Sequence, residues 1–198
     1  MQLLEVAEVK EADRIVSVGD LVCKGPDSLA VMQWAMKRPN LRCVLGNHEA
    51  RLLDRWLSGN SSDPGTFDAE ICRQLGDCYE EAMQFINTWP LYLEEAGVLI
   101  VHAGIDPRVP FIEQQSRRDL LNIRIPDGMD IPWYEDYGEN RPIVFGHWAK
   151  RDPVVRDNAV GLDTGCVYGG ALTAFVLPEG RLVSVPASRE YQRNISWN

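Results

Sequence analysis

The sequence predicts an α/β fold, and two observations lead to this prediction. Short apolar runs alternate along the chain with segments of helical periodicity, a pattern typical of β-α-β units. Several of these runs end at a glycine and a polar residue, as a buried strand does where it leaves a sheet. The chain has 198 residues, 45% of them apolar, which is enough for a real core, so we expect one domain over residues 1–198.

The expected elements follow from periodicity and turn residues. Strands are predicted at residues 14–18, 41–45, 91–93, 98–101, 143–145, 159–162, 171–177 and 181–185. Helices are predicted at residues 3–9, 27–36, 49–57 and 116–122, with one or two more between 67 and 87. The rest of residues 107–142 has weak periodicity, so we interpret this long segment as a lid or a substrate-recognition region.

Composition limits the partners and the compartment. The net charge of −9 argues against nucleic acid as the main partner, so an anionic substrate would need local cations or metals. No apolar run approaches the roughly 20 residues that cross a bilayer, and no signal peptide is recognisable, so we expect no membrane partner and a cytoplasmic location. Five cysteines without a C-x-x-C pair indicate reduced thiols. The oligomeric state is left open.

The three histidines occupy equivalent places. His48, His102 and His147 each lie at or just past the end of a short apolar run, with a glycine within two residues. A lone histidine is usually structural, but three at such places favour a shared function.

Four apolar runs end in side chains that can bind a metal. These are Asp20, Asn47, His102 and His147, and side chains beyond the strand ends of an α/β sheet tend to converge. One carboxylate, one amide oxygen and two imidazoles suit a borderline ion such as Mn²⁺, Fe²⁺ or Zn²⁺. Mg²⁺ or Ca²⁺ alone would not favour two imidazoles.

Several motifs in this order resemble a known family. Residues 19–26 (GDLVCKGP), 46–49 (GNHE), 102–104 (HAG) and 146–147 (GH) are similar to the motifs of the phosphoprotein phosphatase branch of the calcineurin-like metallophosphoesterases. Residues 145–149 and 162–173 most resemble bacterial symmetrical diadenosine tetraphosphatases and their relatives. The resemblance covers about residues 3–185.

The resemblance implies a four-layer α-β-β-α sandwich and a site for two divalent ions (Mn, Fe, Zn or Co). Asp20 would bridge the ions, and Asn47, His102 and His147 would complete the second site. A metal-bound hydroxide would attack phosphorus.

The resemblance also implies the catalytic side chains. His48 would be the general acid, and Lys24 and Arg124 would clamp phosphate oxygens. Cys23 stands where the protein phosphatases usually have the aspartate that orients this histidine. Because a thiol does not supply that charge, we hypothesise a preference for phosphoanhydrides over serine or threonine phosphoesters.

The family's first motif, Asp-x-His-Gly, is absent from this sequence. The fold would therefore apparently lack its first strand, and one metal site would be incomplete. Either the sequence begins too late or the chain is naturally truncated.

We therefore expect a divalent-metal-dependent phosphoesterase acting on a small phosphorylated substrate such as diadenosine tetraphosphate, on a phosphoprotein, or on polyphosphate. The alternative is a truncated, catalytically weak phosphate-binding or regulatory remnant.

Other polar and aromatic residues receive ordinary roles. Glu49 and Arg51 are interpreted as local helix or surface pairs, and Asp163 as part of a tight turn behind the site. For Trp133, Tyr134 and Tyr137, stacking on a base and packing in the core both remain open.

Overall fold

The computed structural model describes residues 2–22, 24–60 and 66–193. The helices are α1 (Gln2–Val6), α2 (Ser28–Met36), α3 (Asn47–Ser58), α4 (Phe67–Leu75), α5 (Tyr79–Ile86), α6 (Arg117–Asn122) and α7 (Trp133–Asp136). Short 3-10 helices lie at Gly76–Cys78 and Ile112–Gln114. The strands are β1 (Ile15–Ser17), β2 (Leu41–Cys43), β3 (Tyr92–Glu95), β4 (Val98–Val101), β5 (Ile143–Phe145), β6 (Val154–Arg156), β7 (Ala159–Gly161), β8 (Ala171–Val176) and β9 (Arg181–Pro186).

Within the described residues, the strands form three sheets. β1 and β2 pair in parallel, and β8 and β9 form an antiparallel hairpin. The largest sheet has the order β3-β4-β5-β7-β6, in which β4, β5 and β7 are parallel. The ends of β1, β2, β4 and β5 carry the sequence motifs, and parallel pairing brings the ends within each sheet to one edge.

Three apolar clusters lie between the layers. In β4, the side chains of Val98 and Ile100 face β1 and β2, whereas Leu99 and Val101 pack against the α6 and α7 region. This alternation is the period-two pattern of a strand buried on both faces. The third cluster packs α2 to α5 against the outer face of the β1-β2 sheet. The predicted four-layer α/β sandwich is confirmed.

Several element predictions need adjustment. Helix α3 begins at Asn47, two residues earlier than predicted, because Gly46 takes an extended conformation and ends the loop. Strand β6 was not predicted; it has three residues, and Val155 is 55% exposed, so it gives no burial pattern. Residues 107–142 contain α6, α7 and buried core residues, so the segment is not simply a lid.

The aromatic residues of that segment belong to the core. Trp133 is 1% exposed, and Tyr134 and Tyr137 are also buried. Trp133 packs edge-on against Phe145 of β5. Of the two roles left open by the sequence, packing is therefore the observed one. Within the described ranges, no helix has the length and apolar character needed to cross a membrane.

Candidate metal centre

Two glycines allow the loops after β1 and β2 to touch. Gly19 has φ +89°, and a Cβ added to it would lie 2.7 Å from Cα of Gly46. A Cβ on Gly46 would lie 2.3 Å from Oδ1 of Asp20. Both positions therefore require glycine, and the close approach places Asp20 beside the start of α3.

The structure brings the four predicted ligands together. One ligand atom each of Asp20, His102 and His147 lies within 4.8 Å of the others. Nε2 of His102 is 3.1 Å from Oδ1 of Asn47 and 3.6 Å from Oδ2 of Asp20. We call these four residues the ligand group.

The hydrogen bonds of the two imidazoles favour a cation in this group. Nδ1 of His102 donates to the carbonyl oxygen of Val18 at 2.7 Å, so a neutral ring presents its Nε2 lone pair to Asn47 and Asp20. His147 bonds the backbone carbonyl of Asn122, which leaves its other ring nitrogen for a ligand role. The lone pairs of the His102 ring, the Asn47 amide oxygen and the Asp20 carboxylate repel one another when no proton lies between them. A borderline divalent ion would bind these same atoms and remove the repulsion.

The electrostatics of Asp20 also favour a cation in the ligand group. Burial, reinforced by the charge of Asp163 and opposed by the hydrogen bond from the His48 backbone, raises the pKa of Asp20 to about 7. A partly buried carboxylate of this kind is stabilised by a positive charge.

Backbone strain concentrates at the same place. Asp20, Lys24 and His147 have φ of +57°, +55° and +68°, values that non-glycine residues rarely adopt. Such conformations cost of order 1–3 kcal/mol each and are typical of functional sites.

His48 lies beside the ligand group with a defined proton position. Its Nε2 is 3.8 Å from Oδ2 of Asp20, and its Nδ1 is 3.1 Å from Nη2 of Arg51. A guanidinium only donates, so Nδ1 accepts, and the ring proton sits on Nε2, facing Asp20. Burial, with the charges of Lys24 and Arg51, lowers the pKa of His48 to about 4.

Asp68 holds Arg51 in place. Asp68 is 3% exposed, and both of its carboxylate oxygens accept from Nε of Arg51 at 2.8 Å. Arg55 adds a second cation at 3.0 Å. Arg51 therefore forms a local helix pair with His48, as interpreted from the sequence, and is anchored in addition by a buried residue of the next helix.

For Glu49, the interpretation as a local helix or surface pair is wrong. Glu49 is fully buried, and its carboxylate accepts from the backbone N–H groups of Asp20 at 2.9 Å and Val22 at 3.0 Å. Burial and the nearby Asp20 charge raise the pKa of Glu49 to about 7. Glu49 thus ties the loop that carries Asp20 to helix α3. The one feature of the sequence that could have indicated this role is the position of Glu49, a carboxylate in the first helical turn, two residues after Asn47.

The two predicted phosphate-binding cations border the ligand group. Nζ of Lys24 donates to the hydroxyl of Tyr168 at 2.8 Å, and its charge acts on Asp20. Arg124 is exposed, lies 5.6 Å from the Trp148 ring centroid, and acts on His147.

The sequence also led to predictions for Asp163 and Cys23. Asp163 accepts from the backbone N–H of Gly165 at 3.0 Å, which agrees with the predicted tight turn. Cys23 lies outside the described residues, so the hypothesis about it stays a prediction.

Comparisons with known proteins agree with the fold. The family model for calcineurin-like phosphoesterase matches residues 1–180. The chain is 32% identical to an asymmetrical bis(5'-nucleosyl)-tetraphosphatase, PrpE, of Bacillus subtilis, over 93% of the chain and 84% of the relative. It is 29% identical to a symmetrical bis(5'-nucleosyl)-tetraphosphatase of Ralstonia nicotianae, over 87% and 81% respectively.

Solved structures of related proteins share this fold. One provisionally assigned as a diadenosine tetraphosphatase superposes with a TM-score of 0.79 at 30% identity, over 94% of this chain and 86% of the other. A metallophosphoesterase from Sphaerobacter thermophilus shares the fold, with a TM-score of 0.59 at 17% identity, over 95% and 82% respectively. The chain therefore belongs to the calcineurin-like phosphoesterase family of metal-dependent hydrolases.

Proposed function

We propose that this protein hydrolyses the phosphoanhydride bonds of dinucleoside polyphosphates, with a divalent ion held by Asp20, Asn47, His102 and His147. The observation that carries the proposal is the convergence of these four acceptors beside the ring of His48. A divalent ion in such a site supplies Lewis-acid polarisation of a phosphoryl group.

The protein's own residues would orient the substrate around that ion. Lys24 and Arg124 neutralise phosphate oxygens at the edge of the ligand group, which matters in a chain with a net charge of −9. Glu49 keeps Asp20 in position through the backbone of its loop.

His48 would assist the leaving group from Nε2. Because Arg51 donates to Nδ1, the ring offers a neutral N–H rather than an imidazolium. A neutral imidazole is a weak acid. It can therefore assist the departure of a leaving group that is stable as an anion, such as a nucleotide phosphate. It is poorly suited to expelling a serine alkoxide. This geometry supports a preference for anhydrides over protein phosphoesters.

The names of the relatives support a small nucleotide substrate. Both symmetrical and asymmetrical tetraphosphatases are among them. Cleavage of diadenosine tetraphosphate at the centre gives two molecules of ADP, and cleavage off centre gives AMP and ATP. Product analysis therefore distinguishes the two modes. The comparisons lend no support to the alternative of a catalytically weak remnant.

The number and identity of the ions belong to the proposal. The family resemblance implies two ions, whereas the described residues provide one group of three or more histidine, cysteine or acidic ligands. We propose that this group binds one ion of Mn²⁺, Fe²⁺, Zn²⁺ or Co²⁺, and that the other site of the family's pair is incomplete in this chain.

A metal-supplemented activity panel tests the proposed function. We expect diadenosine tetraphosphate to have a higher kcat/KM than p-nitrophenyl phosphate, a phosphoserine peptide or inorganic polyphosphate. Activity should require a borderline divalent ion. A phosphopeptide hydrolysed faster than the dinucleotide would overturn the substrate assignment, and the same activity with and without a chelator would overturn the metal assignment.

A further inference from the structure

An open cleft lies along α6 and the chain that follows it, and two of its lining residues border His147 of the ligand group. Its volume is about 420 Å³, within the range of small-molecule sites. Asn122 and Trp148 form the end next to His147: the Asn122 carbonyl accepts from the His147 ring, and Trp148 follows His147 in the chain. The cleft therefore borders the ligand group, so the part of a substrate beyond a phosphate held there can reach it.

Positive charge lies at the end next to His147. Arg124 and Lys150 both lie over the Trp148 ring, with the Arg124 guanidinium carbon 5.6 Å and Lys150 Nζ 3.7 Å from its centroid. Arg124 forms no ion pair with a carboxylate in the part of the chain that the structure describes. This end suits a phosphate adjoining the one that reacts.

The rest of the cleft is lined by two arginines and three aspartates. Arg108 pairs with Asp106 at 2.6 Å, and Arg118 pairs with Asp127 at 3.4 Å. Asp119 also lines the wall. A run of further phosphates would meet these carboxylates without an unpaired cation for each charge, so the cleft does not fit a long polyphosphate chain.

The same walls fit a nucleoside. Carboxylates accept hydrogen bonds from ribose hydroxyls, as acidic residues do in dinucleotide sites. Ile125, which is 45% exposed, lines the cleft as an apolar surface against which a base can pack.

We propose that this cleft binds one nucleoside of a dinucleoside polyphosphate, with Arg124 on the phosphate that adjoins the reacting one. This inference rests on the proposed function and adds a residue-level substrate determinant to it. The protein then distinguishes a dinucleotide from polyphosphate by contacts outside the ligand group.

Two isoleucines provide a matched test. Ile125 lines the cleft and Ile131 does not, yet their exposed fractions are 45% and 44%. Ile125→Asp removes the apolar wall and adds a negative charge. We expect it to lower the ratio of kcat/KM for diadenosine tetraphosphate to kcat/KM for p-nitrophenyl phosphate about tenfold, mainly through KM. Ile131→Asp should keep the wild-type ratio. Ile125→Ala, with an expected loss of about threefold, serves if the aspartate variant does not fold.

The outcomes separate the two proposals. If wild-type protein hydrolyses both substrates but Ile125→Asp keeps the wild-type ratio, the cleft assignment is wrong and the proposed function stands. Equal wild-type kcat/KM for tripolyphosphate and diadenosine tetraphosphate would also overturn the cleft assignment, because the nucleoside would then contribute nothing to recognition of the substrate. An equal loss of phosphopeptide hydrolysis in Ile125→Asp would identify a peptide groove instead. Absence of dinucleotide hydrolysis by wild-type protein would refute the proposed function itself.

Discussion

Nη2 of Arg51 lies 3.1 Å from Nδ1 of His48, so the ring nitrogen that faces away from the ligand group is held by a cation. An arginine at this place fixes the ring and its proton position, and its charge does not stabilise an imidazolium. The helix that supplies Asn47 and His48 therefore also supplies the residue that orients His48.

Arg51→Ala should lower kcat with little change in KM, because the ring of His48 loses its orienting bond while the phosphate-binding groups remain. A loss of about tenfold to a hundredfold is expected, at or below the low end of what a general acid contributes, because His48 itself remains. Steady-state kinetics on diadenosine tetraphosphate check this. Arg55→Ala is the matched control, since Arg55 also bonds Asp68. A rise in KM at constant kcat would show that Arg51 binds substrate instead.

Cys23→Asp tests the sequence-based hypothesis about leaving groups. An aspartate is the residue that the similar protein phosphatases usually have at this position to orient the histidine. Hydrolysis of a phosphoserine peptide should therefore rise relative to that of diadenosine tetraphosphate. Gln33→Asp, at an exposed residue of α2, is a control for a changed net charge. No relative gain in phosphoester hydrolysis would count against the hypothesis.

The convergence of the ligand group could be predicted from sequence, whereas the residues that support it could not. Asp20, Asn47 and His102 each follow a short apolar run, and a strand end is a local signal. Glu49 bonds the backbone of Asp20, 29 residues away, and Asp68 bonds Arg51 from another helix. Such contacts exist only after the layers have packed, so no local period marks them.

The segment after residue 107 shows the same limit. Its irregular loops carry no period, yet Trp133 and Leu120 are buried because they fill the space beside β4 and β5. A short 3-10 helix and two short helices are too brief to give a clear apolar pattern.

Removal of the metal should lower thermal stability. An ion present at 100 times its Kd stabilises a folded protein by about 2.7 kcal/mol, which corresponds to a rise in Tm of about 5–10 °C for a chain of this size. We expect Mn²⁺ to restore this shift in chelator-treated protein but not in His102→Ala. Asp54→Asn, at a surface ion pair, should respond like wild type.

Metal analysis gives the stoichiometry of the same site. One ion per chain that is lost in His102→Ala is the expected result. Two ions per chain would mean that residues beyond the ligand group hold a second ion, and a metal content unaffected by His102→Ala would refute the ligand assignment.

Glu49→Gln should weaken both the fold and metal binding. The amide of glutamine places a donor against one of two backbone donors, the N–H groups of Asp20 and Val22. An unsatisfied buried group costs about 1–3 kcal/mol, and the displaced loop carries Asp20. Thermal melts and Mn²⁺ titration calorimetry measure the two effects. Glu81→Gln, on an exposed face of α5, is the control. Unchanged Mn²⁺ affinity would limit Glu49 to a role in stability.

Asp68→Asn should destabilise the protein in a pH-dependent way. Burial raises the pKa of Asp68, but the hydrogen bonds and charges of Arg51 and Arg55 outweigh burial and hold the pKa below its ordinary value of 3.8. A lowered carboxyl pKa stabilises the fold fully above the ordinary pKa, and this stabilisation is lost as the pH falls through the lowered value. At pH 7 the asparagine variant should therefore lose about 1–3 kcal/mol, since hydrogen bonds to a charged group are replaced by neutral ones.

Urea unfolding of wild type and Asp68→Asn between pH 7 and pH 2.5 measures this dependence. The difference in free energy of unfolding should be constant from pH 7 to about pH 5 and should shrink below the ordinary pKa, as the wild-type carboxylate takes up a proton. Asp77→Asn, at an exposed residue between α4 and α5, controls for a general loss of negative charge. A difference that stays constant down to pH 2.5 would mean that Asp68 acts through its shape, because a charged partner of two arginines must lose its advantage once it is protonated.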